Sequence, residues 1–207
     1  MDVGMINSVL TQKEATVEKD KKSNVGGKTF GEPKLSDEAK KYYESLKGRF
    51  SNMEFVLVSS DKKEEAKANL AQFSNPNKTV VVIDEEKIER MATDEEYRKK
   101  YEGLIAITQT KIPDVKKLIG DNINVKTFGV KADDKGKGTY FAVVKKETKK
   151  EKEVEKSKED KDEDEVITAN SLEELLKKLQ EYSMKAKADS VETDYEKNFG
   201  TVIDYKA

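Results

Sequence analysis

The chain contains no histidine and no cysteine. These two absences exclude Ser-His-Asp and Cys-His nucleophilic catalysis, zinc sites built on Cys or His, iron–sulfur clusters and disulfides. The chemistry left is that of carboxylates, Lys, Tyr, Ser and Thr, or of a metal held by oxygen ligands. Arginine is scarce, with only Arg49, Arg90 and Arg98. Bidentate reading of phosphate or guanine favours the guanidinium fork, so no specific nucleic-acid partner is expected. Neither sign of charge dominates: 40 basic and 42 acidic residues leave a formal charge of −2, which gives no global field toward nucleic acid or an anionic membrane. Long hydrophobic runs are missing too. No run approaches the roughly 20 apolar residues of a transmembrane segment. The opening MDVGMINSVLTQKEA lacks the basic start and apolar stretch of a signal peptide. The expectation is a cytoplasmic chain, with an envelope-associated or exported protein as an alternative.

Charged residues make up 40% of the chain and hydrophobic ones 35%, below the roughly 45–50% apolar content of a typical globular domain. A uniform mixture of that kind would not bury a core, so the apolar residues must cluster. They do so between about residues 35 and 146, a common single-domain size. The expected organisation is a flexible arm over 1–34, a mixed helix–sheet domain over 35–146, a charged linker over 147–168, an amphipathic helix over 169–188 and a tail over 189–207. Within the linker, 15 of the 18 residues 148–165 are charged.

Local signals fill in the domain. Ser36 is a good N-cap, with Asp37 and Glu38 suited to the positive end of a helix. Ala39, Tyr42, Tyr43, Leu46 and Phe50 then form one apolar stripe. Residues 54–59 and 79–84 (EFVLVS and TVVVID) read as strands. Asp61 to Glu64 has a capping-box pattern that opens the helix between them. Strand, helix and strand predict a parallel crossover with both sheet faces covered. Ile88 and Met91 mark a short helix. Thr93 to Glu96 reads as a capping box for a longer one, which Pro113 should interrupt. Residues 125–132 and 139–145 predict an antiparallel hairpin with a bulge near Phe128-Gly129. Ser171 to Glu174 is a further capping box. Leu172, Leu175, Leu176, Leu179 and Tyr182 follow as a stripe that docks on the domain, pairs with another chain or binds a partner.

Two segments have the outline of chemistry. Residues 80–85 (VVVIDE) have the form of a Walker B strand, in which Asp84 would hold magnesium and Glu85 would orient water. Gly26-Gly27-Lys28-Thr29 resembles the end of a phosphate loop. The pattern requires Gly six residues before its Lys, and that position is Lys22. Asp84 as the cap of the next helix is the simpler reading. Asp160, Asp162 and Asp164 alternate as in a calcium loop, but the sixth and twelfth positions are Glu165 and Ser171 instead of Gly and Glu. No catalytic residue, metal ligand or cofactor is assigned.

Residues 35–50, 53–59, 75–103 and 140–144 resemble an uncharacterised bacterial family, a domain of unknown function seen mainly in clostridia-like anaerobes. The charged linker and the closing region 189–205 look similar to it as well. The resemblance implies a recurring domain over 35–146, with the linker and tail as part of the design, and brings no functional residues with it.

The fold class expected is α/β (mixed α+β): a four-stranded mixed sheet, a parallel βαβ crossover plus an antiparallel hairpin, packed by helices. The function expected is a non-catalytic protein-interaction or structural module. Its partner, or a second copy of the chain, would bind through the C-terminal helix at Leu172, Leu175, Leu176, Leu179 and Tyr182. The alternative is a magnesium- or nucleotide-dependent protein using Asp84 and Glu85.

Overall fold

The computed structural model describes residues 23–24, 27–146 and 164–199. In chain order the elements are β1 (Ser23–Asn24), β2 (Lys28–Phe30), β3 (Lys34–Leu35), α1 (Asp37–Arg49), β4 (Met53–Val58), α2 (Lys63–Ala68), β5 (Thr79–Asp84), α3 (Glu85–Thr93), α4 (Glu95–Ile119), β6 (Val125–Ala132), β7 (Gly138–Lys145), β8 (Asp164–Ala169) and α5 (Leu172–Phe199). One sheet runs in the order β2-β4-β5-β6-β7-β8, and β1 pairs separately with β3. The expected α/β class and parallel crossover are present, but the sheet has six strands, not four. β2–β4, β4–β5 and β5–β6 are parallel, and β6–β7 and β7–β8 are antiparallel. The two added strands lie at the edges. One comes from the segment read as an arm and the other from the segment read as linker. Residues 1–22 and 25–26 of the arm, 147–163 of the linker and 200–207 of the tail lie outside the described residues.

The continuously apolar strands serve both faces. Met53, Phe55, Leu57, Val81, Ile83, Phe128, Val130, Tyr140, Ala142 and Val144 point into one core, with buried residues of α1, α3, α4 and α5. Val56, Val58, Val80, Val82, Phe141 and Val143 point into a smaller core on the other face, closed by Ala66 of α2 and by Leu70 and Phe73 of the 3₁₀ turn after it. Gly129 makes that second core possible. It is the direct strand neighbour of Phe141, and a Cβ built on it would lie 2.1 Å from Phe141 Cζ. The missing side chain is therefore space for a ring, not the mark of a bulge. The bulge of this hairpin sits at Val125/Thr127 instead.

Capping follows local chemistry, with two corrections. Ser36 caps α1 by accepting from Ala39 N, and Ser171 Oγ accepts from Glu174 N at 3.0 Å. The longer helix α4 is capped by Asp94, one residue after Thr93; Asp94 accepts from Tyr97 N, while the Thr93 hydroxyl turns back to Glu89 and Arg90 carbonyls. α2 has no side-chain cap. Asp61 instead accepts from Ser59 Oγ, and a 3₁₀ turn over Ser60–Lys62 leads into the helix.

α4 also runs unbroken through Pro113. A mid-helix proline costs about 3 kcal/mol or more. Ile105, Ile112, Val115 and Ile119 are all buried on one side of the helix, and burial of each large aliphatic side chain contributes about 1.5–3 kcal/mol. Pro113 stands on the exposed side, so packing outweighs the lost backbone bond.

Candidate functional site

The three parallel strands β4, β5 and β6 end together at Val58, Asp84 and Ala132, with Val58 paired to Asp84. In open α/β sheets this carboxyl edge is where ligands bind. A small cavity lies there, between the second sheet face and α2, lined among others by Lys63, Lys67, Asp84, Lys87 and Lys131. It holds about 30 Å³. That is room for about two waters and far below the roughly 300–1,000 Å³ of a small-molecule pocket.

Asp84 is the buried anchor of this edge, 7% exposed. Its Oδ1 accepts from Lys87 N at 3.0 Å and caps α3. Its Oδ2 is in close contact with the Lys87 ammonium, and Lys63 Nζ lies 3.5 Å from Oδ1. Lys87 is itself buried and reaches a second carboxylate, Asp134 in the β6–β7 loop, at 2.9 Å. Burial works against the Lys87 charge, but Asp84 and Asp134 outweigh it and hold the ammonium above the ordinary lysine value. The hydrogen bond from Lys87, followed by its charge, lowers the Asp134 carboxyl. Glu86, in close contact with Lys63, is likewise held below the ordinary carboxylate range by hydrogen bonds from Lys63 and Ser60.

Glu85, the second residue of the acidic strand end, turns away from the cavity. It accepts from Lys34 N at 2.6 Å and from Ser60 N and Oγ at 2.9 and 2.7 Å. Glu89 one turn later accepts from Ser36 N and Oγ, both at 2.7 Å. The acidic face of α3 thus braces the starts of α1 and α2. Nor does the remnant of a phosphate loop come near. Lys28 is a residue of edge strand β2 and bonds Glu54 at 3.1 Å. Glu54 pairs with Val80, about 13 Å along the strand from Asp84 at 3.3 Å per residue. No group of His, Cys, Asp or Glu among the described residues is arranged to hold a metal ion.

The C-terminal stripe meets the domain. Leu172, Leu175 and Leu179 are buried in the main core, and Leu176 and Tyr182 are half-buried against it. α5 packs on α4, β7 and β8. Among the described residues, the large apolar side chains that stay exposed are Ile107 and Leu118 on α4 and Met184 on α5, at 52%, 63% and 70%.

A family model for proteins of unknown function, DUF6033, matches residues 33–207. The chain belongs to that family. The match runs from β3 through the charged segment to α5 and the tail, and takes in five of the six sheet strands; edge strand β2 precedes it. No curated protein and no solved structure matches the chain. No helix among the described residues is long and apolar enough to cross a membrane.

Reading the sequence singled out Asp84 and Glu85, and the structure separates them: one faces the cavity, the other a loop junction. It gave no place in a site to Lys63, Lys87 or Lys131, and Asp134 had only the look of turn chemistry. A signal for Lys131 was available. Gly129 and Lys131 share a strand face, and a lysine there faces the second core beyond the end of its apolar cover.

Proposed function

We propose that this chain is a non-catalytic interaction module that presents helix α5 to a protein partner or to a second copy of itself. The observation that carries this reading is the length of α5 beyond its docked stripe. Ser183 is the last buried position among the described side chains of the helix, which runs on to Phe199, about 24 Å further at 1.5 Å per residue. Met184 is 70% exposed. It lies nine residues after Leu175, which at 3.6 residues per turn puts it on the opposite side of the helix from that docked position. The docked stripe fixes the helix to the domain, Leu176 and Tyr182 flank it, and Met184 is left for a groove or a matching helix.

The committed state of the acidic strand end supports the same reading. Both Asp84 oxygens are engaged by ammonium and backbone donors, whereas magnesium needs carboxylate lone pairs free. The competing proposal, magnesium or nucleotide chemistry at Asp84 and Glu85, requires those contacts to break. Light scattering of the full chain across concentrations, with affinity capture from native cells, tests the proposal. Met184→Glu should weaken association or capture while the unfolding midpoint stays unchanged. A chain that remains monomeric and captures nothing that Met184→Glu alters would refute it, and heat on calorimetric titration with magnesium and nucleotide would favour the competing proposal.

A further inference from the structure

The cavity at the carboxyl edge gathers four ammonium groups, and three of them have carboxylates. Lys87 has Asp84 and Asp134, Lys63 has Glu86 with Asp84, and Lys67 has Glu64 at 2.6 Å. The fourth, Lys131 of β6, is half-buried, and its side chain makes no ion pair or hydrogen bond among the described residues. It stands on the second sheet face, where α2 packs above it, so the groups confronting it are Lys67 and Glu64 of that helix and the Lys63, Lys87 and Asp84 charges of the cavity wall. Glu64 is 85% exposed and directed to Lys67. Desolvation and a like charge both disfavour a protonated amine. Lys131 is accordingly held below the ordinary lysine value, first by burial and then by Lys67.

We propose that Lys131 is the reactive amine of this protein and a site of acylation by small anionic acyl donors, acyl phosphates in particular. Two features of the cavity act together. Loss of a proton from a crowded, half-buried ammonium leaves a free amine at a pH where exposed lysines remain charged. The ammoniums of Lys63 and Lys67 attract the phosphate end of the donor and place its carbonyl at the cavity mouth. The Lys131 Nζ lone pair attacks the carbonyl carbon, a C–N bond forms, and the C–O bond to phosphate breaks. Inorganic phosphate leaves with the electron pair, and the amine proton passes to water. The product is a neutral amide, which relieves the repulsion between Lys131 and Lys67.

The test uses the full chain with limiting acetyl phosphate near neutral pH, read by peptide mass spectrometry, with acetic anhydride as an uncharged donor for comparison. Lys131 should be acetylated several-fold faster than Lys117, which is exposed. The preference should be larger with acetyl phosphate than with the anhydride and should vanish in urea. Lys67→Gln, at a half-exposed position, removes the like charge and one anion contact. It should slow Lys131 with both donors, and more with acetyl phosphate. Lys131 reacting no faster than Lys117 with either donor overturns the proposal, and so does a rate that Lys67→Gln leaves unchanged.

Discussion

Replacing Asp84 separates a structural carboxylate from a functional one. Asp84→Ala removes the α3 cap, a loss of about 1 kcal/mol. It also removes one of two carboxylates from Lys87, an ammonium only 6% exposed. Breaking a buried pair by deleting one partner costs about 3–5 kcal/mol. The low end applies because Asp134 stays at 2.9 Å from Lys87 and is itself 87% exposed. The expected total is about 3–4 kcal/mol, since cap and ion pair share one side chain and do not simply add. For a chain of this size that corresponds to a fall in Tm of about 6–16 °C. Two further variants divide the loss. Asp84→Asn keeps an equally good cap and should recover about 1 kcal/mol relative to Ala. Asp84→Ala combined with Lys87→Met removes both charges and should lie closer to the native protein than Asp84→Ala alone, because an apolar replacement of a buried pair is often neutral. Urea unfolding followed by circular dichroism reads all three. A residue held for metal or substrate chemistry is often neutral or stabilising to remove. Asp84→Ala at or above native stability would therefore refute the structural assignment.

Gly129→Ala should lower stability by about 1–3 kcal/mol, since a Cβ would meet the fully buried Phe141 ring; without that clash alanine in a strand would stabilise. Adding Phe141→Leu should recover part of the loss, and independent, additive effects in the double-mutant cycle would contradict the packing described. Leu175→Ala should cost about 2–5 kcal/mol, and an unchanged denaturation midpoint would mean that α5 is not docked in solution. The hydrogen bond from Arg49 to Glu102, helped by Tyr42, holds the Glu102 carboxyl below its ordinary value of 4.5. A depressed folded value stabilises above the unfolded one and is lost as pH falls through it. Arg49→Gln should therefore cost up to about 1 kcal/mol near neutral pH, with the gap to the native chain closing below about pH 4.5; a gap that widens in acid would reverse the sign of the argument.

Much of the main core was legible because local signals agreed with the fold. Ser36, Asp84 and Ser171 cap where their side chains suggested, and Tyr43, Leu46, Ile88, Met91 and Tyr101 lie buried on the helix stripes they define. The two edge strands were not legible. Lys28–Phe30 is too short to show a period, and Asp164–Ala169 begins inside a run whose composition reads as linker. Both owe their conformation to neighbours distant in the chain, β4 and β7. The cavity was hidden for a similar reason. Lys63, Lys87, and Lys131 with Asp134 come from three separate segments, and only the sheet register assembles them.

The β7–β8 pairing matches Lys145 with Asp164, so the two residues that bound the charged stretch are partners on one rung of a ladder. Neighbouring strands lie about 5 Å apart, so the sheet holds these two anchors together whatever length of chain joins them. Doubling it would cost only about 0.6 kcal/mol of closure entropy. A short turn could replace it, or a foreign sequence could be grafted into it, with the six strands keeping their order. Selection can therefore change its length and charge almost independently of the fold that anchors it.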